Sequence, residues 1–135
     1  MKYINPKSTV ACILVKNHKI LLAKRVKNPF KNYWCLPGGH VKLFEKIENA
    51  IKREIKEELN IKIKPKLFTF DQEVYKNLKW HANVFFFVSK LNGHIKINKS
   101  ELSNYKFFSN SEIKSLKIAF NHKKILLRFF KNAKH

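Results

Sequence analysis

The stretch Gly38-Gly39-His40-Val41-Lys42-Leu43-Phe44-Glu45, answered eight positions later by Arg53-Glu54-Ile55-Lys56-Glu57-Glu58-Leu59-Asn60-Ile61, decides how this chain is read. Lys46 to Leu59 carries apolar residues at 47, 50, 51, 55 and 59, the spacing of an amphipathic helix. At about 3.6 residues per turn, Ile47, Ile51, Ile55 and Leu59 form one stripe, and Glu54, Glu57 and Glu58 run along its edge. An apolar margin is a poor place for unpaired carboxylates. Glu54 has Ala50 and Ile51 one turn before it and Glu57 and Glu58 one turn after it, with no base at those positions. Like charges at that spacing repel. A divalent cation converts the repulsion into ligation, and a set of oxygen ligands selects a hard ion such as Mg²⁺. A solvated acidic face is the plainer alternative.

Gly38 and Gly39 are two of the three glycines in the chain. Following Pro37, they predict a tight turn at positive φ that also lets backbone approach a ligand closely.

Outside this window the chain is strongly basic. It has 135 residues, 29 Lys plus Arg, 9 Asp plus Glu, and a formal charge of +20. Five of the nine acids, Glu45, Glu48, Glu54, Glu57 and Glu58, lie between Gly39 and Ile61, where five bases balance them. A basic surface attracts nucleic acid. Only Arg25, Arg53 and Arg128 are arginines, however, and a chain rich in Lys, Asn, Ile and Phe also follows from codons rich in A and T. Selection for phosphate contact favours the planar fork of Arg.

The length suits one domain over residues 1–135, and 44% apolar residues exclude a disordered tail. No run approaches the ~20 apolar residues of a membrane span, and the first residues lack a signal-peptide pattern. Cys12 and Cys35 form no disulfide framework or zinc pair, so a cytoplasmic protein without a membrane is expected.

Thr9–Val15 and Ile20–Arg25 read as a hairpin, Tyr33–Leu36 as a short strand, and 61–75 as an extended segment broken by Pro65. Trp80–Val88 is a strand whose predicted hairpin partner is Ile95–Ile97, across an Asn92-Gly93 turn. Tyr105–Phe108 is a further strand. Ser109 with Glu112 forms a capping box, and Ala119–Lys131 an amphipathic helix. The expected class is α/β, a mixed sheet flanked by helices.

Gly39, Glu45 and the Arg53-Glu54-Ile55-Lys56-Glu57-Glu58-Leu59-Asn60-Ile61 run resemble the signature of the Nudix hydrolases. One position departs: the family prefers Gly where this chain has Asn60, the next-best residue for a left-handed helix cap. The lead-in from Leu21 through Arg25 and Trp34 to His40 is similar to MutT-type and nucleotide-sugar members. The resemblance implies an α/β/α sandwich and Mg²⁺- or Mn²⁺-dependent hydrolysis of a phosphoanhydride in a small nucleotide, either a nucleoside triphosphate or a nucleotide sugar. By position it implies Glu54, Glu57, Glu58 and the Gly38 carbonyl as metal ligands, with Glu101 as an added acidic ligand. Arg53 and Glu45 would hold the glutamates, and Glu54 or Glu101 would serve as general base. Arg25, Gly39 and Trp34 would meet the substrate. Two alternatives stay open: pyrophosphohydrolysis at RNA 5′ ends, and a non-catalytic nucleotide- or RNA-binding module. So does the choice between monomer and homodimer.

Overall fold

The computed structural model describes residues 5–132. In chain order it contains strands β1 (Lys7–Lys16), β2 (Lys19–Arg25), β3 (Trp34–Cys35) and β4 (Gly38–His40), then helix α1 (Ile47–Leu59). Strands β5 (Lys66–Tyr75), β6 (Trp80–Lys90) and β7 (Leu102–Phe108) follow, then helices α2 (Asn110–Ile113) and α3 (His122–Asn132). The strands join one sheet in the order β3-β2-β1-β6-β5, with β4 also bonded to β1 and β7 to β2. Strands β1 and β6 are parallel from Lys7/Ala82 to Val15/Lys90, and the other pairings are antiparallel. The sheet is mixed and flanked by helices, as expected. A parallel pair needs a crossover, and α1 lies within the connection from β1 to β6.

Strand β1 is apolar from Val10 to Val15 because both of its faces are covered there. Val10, Cys12 and Leu14 pack with Ile51, Ile55 and Leu59 of α1, while Ala11 and Ile13 pack with Ile113, Ile125 and Leu126 on the other face. Cys12 and Cys35 are both buried and free, so neither ties the chain covalently. Among the described residues no helix is long and apolar enough to cross a membrane.

The capping box on α2 is present as expected, with the Glu112 N–H donating to Ser109 Oγ and the Ser109 N–H to Glu112 Oε1. Three elements depart from the sequence reading. Ile95–Ile97 is not a strand, because β1 and β5 already occupy both edges of β6. The segment docks instead on the end of α1. The Lys96 N–H donates to Leu59 O at 3.0 Å and the Asn98 N–H to Glu58 O at 2.8 Å, which satisfies carbonyls that a helix end leaves open. Helix α3 starts at His122 rather than Ala119, since Phe120 takes a left-handed φ of 54°. The Pro37-Gly38-Gly39 segment is no positive-φ turn: the two glycines form β4 against Val10 and Ala11.

Helix α1 ends at Asn60, in the left-handed conformation (φ 56°, ψ 39°) with its N–H on Lys56 O. Most side chains lose stability there, and glycine does not. Asn60→Ala is expected to lower the urea-unfolding free energy by about 1 kcal/mol, with Asn60→Gly staying at or above the wild type.

Candidate active site

The strip of glutamates faces a cavity of about 470 Å³ between α1, β4 and the start of β6. Arg53 organises the near wall. Its Nε donates to Glu45 Oε2 at 2.8 Å, and Nη2 donates to Glu45 Oε1 at 3.0 Å and to the His40 carbonyl at 2.9 Å. Its Nη1 donates to Glu54 Oε1 at 2.7 Å and reaches Glu57 at 3.3 Å. Positions one turn away on the helix offer Glu54 no base, but the long Arg53 side chain reaches it from the adjacent position. Glu45 is thereby held down at a pKa of about 2, chiefly by its hydrogen bonds from Arg53.

Glu58 is 5% exposed, within the apolar stripe, and its Oε1 accepts the Gly38 N–H at 2.9 Å. Burial pushes its carboxyl well above the usual range, and Glu54, Glu101 and Glu57 push in the same direction. Burial also raises Glu54, against the pull of Arg53. Glu57 is half exposed. Glu101 lies in the turn before β7, carried to the same cavity by the segment docked on α1.

The glycines serve this wall through close approach. A Cβ on Gly38 would lie 2.0 Å from the Val10 carbonyl oxygen, and one on Gly39 would lie 2.3 Å from the Glu54 carboxyl. Any side chain at Gly39 therefore displaces Glu54.

The donor set fits a hard divalent cation: crowded oxygen donors on one helix strip, with Arg53 their single hydrogen-bonded cation among the described residues. Among those residues no three His, Cys, Asp or Glu side chains are grouped as they stand so as to hold a metal ion.

The opposite wall is aromatic. Trp80 and Phe120 line the cavity with ring centroids 5.0 Å apart and planes at 35°. The Arg25 guanidinium sits 4.7 Å from the Phe120 centroid, and its Nε donates to Pro29 O. Trp34 is a correction to the sequence reading. Its ring lies edge-on to Phe108 at 4.9 Å, beneath the Lys24 ammonium and against the α3-side core, and it does not line the cavity. Side chains alternate along a strand, so the neighbouring Cys35 takes the cavity side of β3.

Sequence reasoning passed over Glu73 and His122, both buried in this wall. The scarcity of acids was the available signal for Glu73, which points inward on β5 with Asp71 and Tyr75. His122 Nδ1 accepts the Leu36 N–H at 3.0 Å, and burial lowers its pKa to about 3, so the ring is neutral at physiological pH.

A match to the NUDIX domain runs over residues 5–129. The chain belongs to the NUDIX family and is a Nudix-type pyrophosphohydrolase. It is 34% identical over 126 residues to an ADP-ribose pyrophosphatase of Methanocaldococcus jannaschii, covering 92% of this chain and 73% of that protein. It is 32% identical over 112 residues to an 8-oxo-dGTP diphosphatase of Buchnera aphidicola subsp. Schizaphis graminum, covering 82% of each. Among solved structures, a MutT Nudix hydrolase from Burkholderia pseudomallei superposes with a TM-score of 0.81 at 25% identity, over 93% of this chain and 98% of that one. A MutT protein from Methanosarcina mazei Go1 shares the fold, with a TM-score of 0.84 at 20% identity over 99% of this chain and all of that one.

The two glycines are expected to fail differently. Gly38→Ala meets backbone and should lower the melting temperature sharply. Gly39→Ala meets a side chain and should cost activity about tenfold or more with a smaller melting shift. Thermal melts beside pyrophosphatase assays on both variants check this.

Proposed function

We propose that the chain hydrolyses the phosphoanhydride of a nucleoside diphosphate joined to another group, using Mg²⁺ or Mn²⁺. ADP-ribose and nucleoside triphosphates such as 8-oxo-dGTP are the first substrates to test, after the activities named for the two relatives. The observation that carries this reading is the set of half-buried to buried carboxylates beside Gly39, raised by burial and by one another. Such a set is costly unless a cation joins it.

Glu54, Glu57, Glu58, Glu101 and the Gly38 carbonyl would hold the ion. When bound, it neutralises the diphosphate and activates water for attack on phosphorus. The chain's own residues then position the reaction, the larger part of phosphoryl-transfer catalysis. Arg53 orients Glu54, which takes the proton of the attacking water, and Glu45 keeps Arg53 in place. Gly39 leaves room for that carboxylate and for the diphosphate. Arg25 meets a phosphate oxygen at the aromatic side, and Trp80 with Phe120 offers a stacking face for the base.

The test is a pyrophosphatase panel over nucleotide sugars and triphosphates, with and without Mg²⁺. Glu54→Gln and Glu58→Gln are each expected to lower turnover by about two orders of magnitude or more while folding is kept. Near-normal turnover in either variant would sink the ligand assignment.

Because the Glu58 carboxyl is raised, the folded protein keeps its proton to higher pH than the unfolded chain does. The stability this gives is lost as the pH rises through the raised value. Metal-free Glu58→Gln should therefore melt above the wild type at pH 8 and closer to it at pH 5. Added Mg²⁺ should raise the wild-type melt at pH 8 and leave that of the variant nearly unchanged.

A further inference from the structure

Glu73 is a buried acid on the aromatic wall, away from the glutamate strip. It is 2% exposed, and its strand β5 turns it inward beneath Trp80 of β6. Its Oε1 accepts the Trp80 indole N–H at 3.0 Å, while Oε2 is buried with no hydrogen-bond partner among the described residues. His122 of α3 lies closest to that atom, with Nε2 at 3.7 Å, too far for a full hydrogen bond. The His122 tautomer follows from the Leu36 N–H, which donates to Nδ1, so the ring proton sits on Nε2 and faces Glu73.

Trp80 is held on its other sides by ring contacts and a cation. Phe120 is 5.0 Å away, His40 of β4 is 6.3 Å away, and the Lys7 ammonium of β1 sits 4.7 Å from its centroid. None of these is directional enough to set the angle of the indole plane. The bond from its N–H to Glu73 is.

We propose that Glu73 is a positioning residue for substrate binding: by accepting the Trp80 indole N–H, it fixes the face against which the flat heterocycle of a nucleotide stacks. This rests on the nucleotide reading above and adds a residue to it. An ionised acceptor makes a stronger bond than a neutral one, so the hold tightens when Glu73 loses its proton. Burial raises the Glu73 pKa to about 7, with the Trp80 N–H and the Asn121 backbone opposing it. The charged and titratable groups facing it are Arg25 from β2, which lowers the value, Asp71 on its own strand, which raises it, His122 from α3, and Tyr75 at the end of β5. The grip on the heterocycle therefore strengthens as pH rises through neutrality, and it is present in a protein that carries no metal.

The chain has two tryptophans, so protein labelled with 5-fluorotryptophan gives two fluorine NMR signals, and Trp80→Phe identifies the one that matters. In the wild type this signal should move with pH, with a midpoint in the neutral range, and should shift again when AMP is added. In Glu73→Gln, which keeps an acceptor of the same shape, the pH response should vanish. Glu73→Ala and Trp80→Phe should raise KM about tenfold or more while kcat stays within about threefold. A Trp80 signal that ignores pH, that still titrates in Glu73→Gln, or that ignores millimolar AMP overturns the proposal, as does an unchanged KM in Glu73→Ala. Binding of AMP needs no turnover. A protein that binds AMP through Trp80 and hydrolyses nothing would thus overturn the hydrolase reading and leave this one standing.

Discussion

The guanidinium of Arg53 binds three carboxylates and a backbone carbonyl at once, and the candidate site is arranged around it. Its fork ties the end of β4, through His40 O, and the loop after it, through Glu45, to the helix strip that carries Glu54 and Glu57. A planar group with donors at fixed angles sets those oxygens relative to one another, which a lysine ammonium does not do. The cost of gathering acids at a buried edge is met partly here. The remainder leaves Glu54 and Glu58 with raised proton affinity.

Opposite this polar wall, the sheet builds an aromatic one from distant parts of the chain. Phe120 comes from the approach to α3, Trp80 from the start of β6, and Glu73 from the inward face of β5. Charge on one side and flat rings on the other suit a ligand that is a polyphosphate at one end and a heterocycle at the other. The +20 charge adds general attraction for such anions and singles out no residue.

Much of the near wall is legible in the sequence, because it is local. The carboxylate strip, the Asn60 cap and the Ser109–Glu112 box depend on spacings of one to four residues, within which helix geometry leaves little freedom. The helical spacing also brings Glu58 to the apolar stripe, and its burial agrees. Local turn chemistry alone misleads at two places. Gly38 and Gly39 are small because Val10 and Glu54 press against them, and neither neighbour is near in sequence. Ile95–Ile97 has the pattern of a hairpin arm, yet β6 has no free edge to offer it.

By itself, then, the sequence determined a mixed α/β domain, the helix with its three carboxylates, and the arginine and glycines that attend them. The helix and its carboxylates follow from periodicity and from like charges kept together in an otherwise basic chain, and the place of the arginine beside them from the resemblance to the Nudix signature. Only the tertiary structure decided which aromatic residue faces the cavity, since strand register turns Trp34 away and Trp80 toward it. It also decided that Glu73, one of four acids outside the helix region, is buried beneath that ring. Composition and spacing count residues, whereas burial and partner depend on which strands the sheet brings side by side.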